Sequence, residues 1–376
     1  MIAIAFGGLV AVIWAYLLLV RGFFWSTRLA ASAPAPARYP QVVAVIPARN
    51  EAEGIGRAVA SLLDQDYPGE LSIVLVDDHS DDGTAEIARE AARGRGERLT
   101  IVAARSLPGG WTGKLWALSE GVRQITSPPD LYLFTDADIA HHRSNLRELV
   151  ARLEAERRDM ASLMVKLHCE SLAEKFLIPP FVFFFALLYP FSWSNNPRKA
   201  TAAAAGGCVL LRRSAYERIG GYAAIKGELI DDCALAAAVK KSGGSIWLGL
   251  TQVTESLRHY PDIADIWNMV ARTAYTQLAY SPLLLAGTVL ALVITYIAPV
   301  LLLFAGGIAA LLGLAAWFIM ATIYAPMLRF YNRSLLWAPL LPAAASVYLG
   351  ATIASAWRHW RGRGGEWKGR MQWQSR

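Results

Sequence analysis

The sequence predicts an α/β fold: a Rossmann-like, mostly parallel sheet domain carried by one N-terminal and two or three C-terminal transmembrane helices. Two observations predict it. From residue 41 onward, short β-branched runs alternate with stretches of helical period, the pattern of a parallel sheet flanked by helices. On either side lie runs with no charged side chain, residues 1–20 and 281–328, each long enough to enter a bilayer. Composition agrees with both. Of 376 residues, 55% are hydrophobic and 18% are charged, and the mean hydropathy is +0.32, too apolar for an ordinary soluble enzyme.

Taken in order, MIAIAFGGLVAVIWAYLLLV (1–20) ends at Arg21 and Arg28. The basic residues follow the apolar run, whereas a signal peptide carries them before it, so residues 1–22 are expected to be a retained anchor. Residues 23–40, containing ASAPAPARYP, form a Pro/Ala linker. The run QVVAVIP predicts a strand. NEAEGIGRAVASLLDQ predicts a helix with Ile55, Val59, Leu62 and Leu63 on one face. LSIVLVDD, DGTAEIAREAAR, RLTIVAA, KLWALSEGVRQI and LYLFTDAD continue the alternation, and the domain is expected to cover 41–262. Within it, LIPPFVFFFALLYPFSW (177–193) is nearly long enough to span. A span there would place the later acidic motif across the membrane from the earlier ones. It is therefore read as an interfacial segment, and Pro179, Pro180 and Pro190 argue against one straight helix. Residues 263–280 are expected to be an interfacial helix. Residues 281–357 form a transmembrane region that turns near Gly306 and Gly307 and closes at Arg329 and Arg333. Its last run, broken by Pro339 and Pro342, is read either as a third span or as a re-entrant or interfacial segment. A third span would leave the basic tail 358–376 outside if the sheet domain is cytoplasmic, against the positive-inside bias.

The net charge of +7 collects beside apolar segments and suits anionic lipid headgroups. No zinc-finger spacing or nucleic-acid motif is present, so no nucleic-acid partner is expected. The three cysteines, Cys169, Cys208 and Cys233, show no disulfide spacing.

The chemistry-bearing residues fall at strand ends, where open α/β sheets bind ligands. Asp136 and Asp138 close the apolar strand LYLF. Two carboxylates there suit a hard divalent cation, Mg2+ or Mn2+, which takes oxygen ligands. Asp77 and Asp78 end another strand and can accept from a base N–H or a ribose hydroxyl. Asp81 and Asp82 read as helix caps. Gly113 and Lys114 precede a helix and suit a phosphate-bearing ligand. Asp231 and Asp232 open a helix; the residues alone allow a dipole-matching role or a general base. His141 and His142 follow the Asp-x-Asp and are expected at the surface rather than on a metal, while His259 in RHYPD is read as a side chain that could complete a metal shell.

The ordered set PARNE, VDDHS, GK..AL, DAD, GG....RR, GG and DDCAL resembles a family 2 inverting glycosyltransferase of the GT-A fold, over about residues 41–260. GWTGKLWA, LIPPFVFFF, TAAAAGGC, IDDCALA, WLGL and MVARTAYTQL resemble the hopene-associated glycosyltransferases of hopanoid-producing bacteria, over nearly the whole chain. The resemblance implies a multi-pass protein of the bacterial inner membrane with a cytoplasmic catalytic domain. It implies a nucleotide-sugar donor, a lipid acceptor and a divalent metal. Pro47, Arg49, Asn50 and Glu51 would line the nucleotide pocket, Asp78 with Asp77 would contact the nucleoside, and Lys114 and Gly207 would lie at the donor. Asp138 with Asp136 would hold the metal, and Asp232 beside Asp231 would be the base. Asp231 stands where the family usually has Glu, and His79 where it often has Gly. Processive members carry Gln-x-x-Arg-Trp; here Arg272 is kept but Met269 and Thr273 flank it, so processive synthesis is not expected. Arg272 is read either as a donor to the leaving diphosphate or as an interfacial arginine.

Overall fold

The computed structural model describes residues 1–363 and the backbone of 366–367 and 370–371; the rest of the tail, with Lys368 and Arg376, lies outside the described residues. An apolar helix α1 (Ile2–Leu19) comes first. Then follow β1 (Val42–Ala48), α2 (Ala52–Leu63), β2 (Leu71–Asp77), α3 (Thr84–Ala91), β3 (Leu99–Ala103), α4 (Gly113–Arg123), β4 (Leu131–Phe134), β5 (Ile139–Ala140), α5 (Asn145–Ala155) and β6 (Met160–Lys166). Helices α6 (Leu172–Leu188) and α7 (Phe191–Ser194) interrupt the sheet, which resumes with β7 (Val209–Arg212), α8 (Arg213–Arg218), α9 (Asp231–Lys241) and β8 (Ile246–Ser256). The chain continues as α10 (Ile263–Gln277), α11 (Pro282–Leu292), α12 (Ala298–Leu302), α13 (Gly307–Phe330), α14 (Leu341–Trp360) and two short strands, β9 (Glu366–Trp367) and β10 (Arg370–Met371). It divides into two compact units. One holds 1–27, 169–192 and 260–365; the other holds 28–168, 193–259 and 366–376.

The second unit is built on an eight-stranded sheet of order β3-β2-β1-β4-β7-β6-β8-β5. Its first four strands are parallel, as the alternation predicts. β7 then runs antiparallel to both β4 and β6, and β6 is parallel to β8. Strand residues alternate between two cores, one on each face. Val42, Ala44 and Ile46 pack with α2 and α5 residues such as Ile55, Leu62 and Leu149. Val43, Val45, Tyr132 and Phe134 pack with Leu115, Leu118 and Leu235 of α4 and α9. Burial on both faces explains why these strands read as continuous apolar runs. Gly121 is required where α4 crosses the sheet: a Cβ there would lie 2.5 Å from Val45 Cγ1 and 2.9 Å from Val76 Cγ2.

In the first unit, α6 runs through Pro179 and Pro180 without a break, and Pro190 falls after its end, before α7. Its start is fixed by a capping box, with Ser171 accepting from the Glu174 N–H at 3.0 Å and Glu174 accepting from the Ser171 N–H at 2.9 Å. Pro179 and Pro180 are buried, and surrounding packing lets an apolar helix tolerate such breaks in its ladder. Arg21 donates to the Leu187 carbonyl at 3.1 Å, so the ends of α1 and α6 meet. The α12–α13 hairpin turns at Gly306 and packs closely, a Cβ at Gly313 falling 2.6 Å from the Pro299 oxygen. After α13 the chain doubles back. The Pro339 carbonyl accepts from Trp317 Nε1 at 3.1 Å, halfway along α13. From there α14 runs until Ala356 packs with Leu285 of the first turn of α11.

Candidate active site

Two helix N-termini and two strand-end turns of the sheet-bearing unit bring Pro47, Lys114, Asp136, Gly206, Asp231 and Asp232 to one small cavity, with Tyr222 behind them. Lys114 opens α4 and Asp231 and Asp232 open α9. Lys114 Nζ lies 2.7 Å from Asp136 Oδ1 and 3.1 Å from Asp231 Oδ2. Burial works against the ammonium, but the carboxylates of Asp136 and Asp231 outweigh it and hold the Lys114 pKa above the usual lysine range. Lys114 is therefore a fixed cation.

Asp232 is held by backbone donors. The Gly206 N–H reaches its Oδ2 at 2.8 Å and the Cys233 N–H its Oδ1 at 2.7 Å. Burial first, and the neighbouring Asp231 charge second, push its carboxyl up to about 6; Lys114 and the two N–H groups oppose them. A carboxylate placed and tuned in this way suits proton abstraction near neutral pH. Asp138 is also pushed up to about 6, by burial and then by the charges of Asp136 and Glu51, with Arg258 and Lys114 opposing. Asp136, Asp138 and Glu51 thus leave acidic charge in excess over nearby cations. That donor set, hard oxygens around a half-buried carboxylate, fits a divalent cation.

The turns that follow β1 and β2 form a braced edge. The Arg49 guanidinium lies 4.0 Å from Asp78 Oδ2, and Asp78 is fully buried. Asn50 donates its N–H to Ser80 Oγ at 3.0 Å and accepts from the Asp81 N–H at 3.1 Å. The Glu51 N–H donates to Thr84 Oγ1 at 2.9 Å. Asp82 accepts from the Ala52 and Thr84 N–H groups at the starts of α2 and α3, although the N-cap position of α3 is Gly83. Asp77 accepts from the N–H and hydroxyl of Ser80, which closes its own turn. His79 takes φ +58°, the left-handed conformation that a glycine would suit.

Two placements differ from what was expected. Gly206, rather than Gly207, faces the cavity; a Cβ at Gly207 would meet Val165 and Ile139 in the core at 3.0 and 3.2 Å. His141 is 5% exposed, not at the surface, because the chain after β5 turns inward to start α5. Arg272, read either as a diphosphate donor or as an interfacial arginine, lies on α10 of the apolar unit with its side chain exposed, which leaves both readings open. Sequence reasoning missed Gly206, Thr135, Tyr222 and Arg258. The glycine pair was the one signal available for the first.

Residues 43–220 match the family model described as glycosyl transferase family 2. A stretch of 106 residues is 32% identical to a 4,4'-diaponeurosporenoate glycosyltransferase of Staphylococcus haemolyticus, and it covers 28% of this chain and 26% of that protein. Among solved structures, the chain is similar to the mannosyltransferase PcManGT from Pyrobaculum calidifontis, solved with GDP-Man and Mn2+. Identity is 20% and the TM-score 0.56, over 96% of this chain and 99% of that one. This likeness shows the fold, a GT-A domain accompanied by apolar helices.

Proposed function

We propose that this protein is a membrane-bound inverting glycosyltransferase that moves a sugar from a nucleotide-sugar, a UDP-sugar, to a lipid alcohol. The observation that carries the reading is Asp232, half-buried and aimed by two N–H groups, next to a lysine-bridged carboxylate set at the strand ends. Asp232 takes the proton of the acceptor hydroxyl as its oxygen bonds to the anomeric carbon. The bond from that carbon to the diphosphate breaks on the opposite side, and the nucleoside diphosphate leaves. Lys114, released in part from Asp136 and Asp231, places positive charge where the leaving group gains negative charge. Asp138 and Asp136 would hold Mg2+ or Mn2+, which supplies neutralisation of the diphosphate when bound. Arg49, Asn50, Glu51 and Asp78 frame the nucleoside side.

The acceptor class rests on two resemblances: the sequence motifs resemble those of hopene-associated enzymes, and the relative from Staphylococcus is named for 4,4'-diaponeurosporenoate. A polyprenyl phosphate, a ceramide-like lipid and a non-catalytic scaffold are the competing readings. Purified protein with Mn2+, a panel of sugar nucleotides and lipid extract should release UDP. Asp138→Ala should abolish release, and Asp232→Asn should lower kcat by about a thousandfold while Mn2+-dependent UDP binding persists. A small effect of Asp232→Asn would favour a phosphate acceptor, which needs no strong base. No release from any donor would favour the scaffold.

Five helices among the described residues are long and apolar enough to cross a membrane, but two of them are assigned no crossing. β6 and β7, which flank α6 in sequence, pair in one sheet, so α6 leaves and re-enters the bilayer surface on one side. The stretch from 331 to α14 is re-entrant. It descends to mid-α13 at Pro339 and returns to the end of the hairpin where α11 begins. Three crossings remain, and Arg358, Arg361 and Arg363 lie on the same side as Arg329 and Arg333, as the positive-inside bias requires. That side is the cytoplasm of a bacterial inner membrane. In intact cells, a cysteine introduced at Arg361 should resist an impermeant maleimide, and one at Gly306 should react. Labelling at both positions would overturn this path.

A further inference from the structure

His141 is a buried titratable side chain for which the chemistry above has no use. Its Nε2 lies 2.9 Å from Thr135 Oγ1 and its Nδ1 lies 3.0 Å from Asn145 Nδ2. Thr135 Oγ1 is in turn 2.8 Å from the Gly207 carbonyl. The direction of every proton follows. A carbonyl only accepts, so the single hydroxyl proton of Thr135 goes to Gly207. The same oxygen must then accept from His141 Nε2–H. A neutral imidazole with a proton on Nε2 accepts at Nδ1, so the Asn145 amide donates there. Thr135, His141 and Asn145 are 2%, 5% and 4% exposed, which keeps the imidazole neutral.

This relay, local between Thr135 and Asn145, joins that stretch to the Gly206–Cys208 turn, with Thr135 and Gly207 72 residues apart. Thr135 immediately precedes Asp136. Asn145 opens α5 and also reaches Cys208 Sγ at 3.6 Å. Gly207 follows Gly206, whose N–H holds Asp232. We propose that His141 is a positioning residue: by tying the start of the Asp136–Asp138 loop to the Gly206–Gly207 turn, it sets the separation between the carboxylates that meet the cation and the carboxylate that takes the proton. The inference rests on the function proposed above for those carboxylates. His141 touches no substrate and acts only through Thr135 and the turn.

The test uses full-length protein in detergent and three variants. His141→Gln keeps an amide N–H where Nε2–H stood. His141→Phe keeps the ring and loses both hydrogen bonds. Leu153→Ala, at a fully buried site on α5, is a destabilised control compared at equal distance below its own Tm. Amide exchange is read on peptides spanning 203–209, and Mn2+ affinity by titration in the presence of UDP. His141→Phe should lose protection at Gly206 and weaken Mn2+ binding about tenfold, the scale typical of residues that orient metal ligands. His141→Gln should restore most of both, and Leu153→Ala should change neither. Unchanged exchange at 203–209 in His141→Phe, or equal losses in Leu153→Ala, would overturn the positioning role. If wild-type protein bound no Mn2+ with UDP while His141→Phe still released Gly206, the tie would be real. The reading of the carboxylates would then fail, and with it the purpose assigned to the tie.

Discussion

The two units of this molecule bury polar groups in opposite ways. In the sheet-bearing unit, buried charge is concentrated: Lys114 sits between two carboxylates and Asp232 takes two backbone N–H groups. In the apolar unit, the buried Glu174 carboxylate caps α6, and buried tyrosine hydroxyls are set in an edge-to-face aromatic cluster. Tyr296 meets Trp14 and Phe184, and Phe184 meets Tyr348. Tyr348 donates to the Leu177 carbonyl, whereas the Tyr296 hydroxyl has no partner. The lysine-bridged carboxylates gather at the candidate site, whereas the interior of the apolar unit is filled largely by aromatic contact, worth about 0.5–1.5 kcal/mol per pair beyond area. The difference separates the unit that carries the candidate site from the unit that carries most of the long apolar helices.

Removing the central cation should break this contrast most severely. Lys114→Met leaves Asp136, Asp231 and Asp232 facing one another, with Lys114 itself only 19% exposed. UDP release should fall about a hundredfold or more, and stability by about 3 kcal/mol, the scale of breaking a buried ion pair, read by assay and by thermal unfolding. Added Mn2+ should recover part of the stability.

The next effect in size concerns pH. Burial and Asp231 raise the Asp232 carboxyl to about 6. The base is the deprotonated form, so kcat should climb as pH rises through about 6 and level off above it. A profile flat down to pH 4.5 would show that the proton goes elsewhere.

In the apolar unit the corresponding change should be nearly silent. Tyr296→Phe removes a hydroxyl that bonds to nothing, so stability should hold or rise slightly, within about 0.5 kcal/mol. A loss above 1 kcal/mol would reveal a partner for that oxygen and erode the contrast.

Much of the sheet was legible because its strands are buried on both faces and its helices carry a clear apolar period. Val42–Ala48 and Ile55–Leu63 needed no tertiary information. What stayed hidden depended on direction and register. β7 follows a long excursion, and nothing local in CVLLRR sets it antiparallel to β4. Gly206 and Gly207 are chemically identical in sequence, and only the turn decides which one offers its N–H to Asp232. His141 and His142 are likewise a pair of one residue type; β5 pairing with β8 and the start of α5 send the first inward and leave the second outside. Asp77 and Asp78 diverged for the same reason, one closing its turn through Ser80 and the other buried near Arg49.

The α6 segment sits in the chain between β6 and β7, so the greasy part of this protein cannot be trimmed away from either end. A fragment running from 28 to 259 still contains seventeen helical residues whose natural surroundings are the removed helices. During synthesis, six strands leave the ribosome before that helix and two after it, so completing the sheet has to wait for a hydrophobic detour. Attempts to obtain a water-soluble form would do better to re-engineer the outer face of that detour than to shorten the termini.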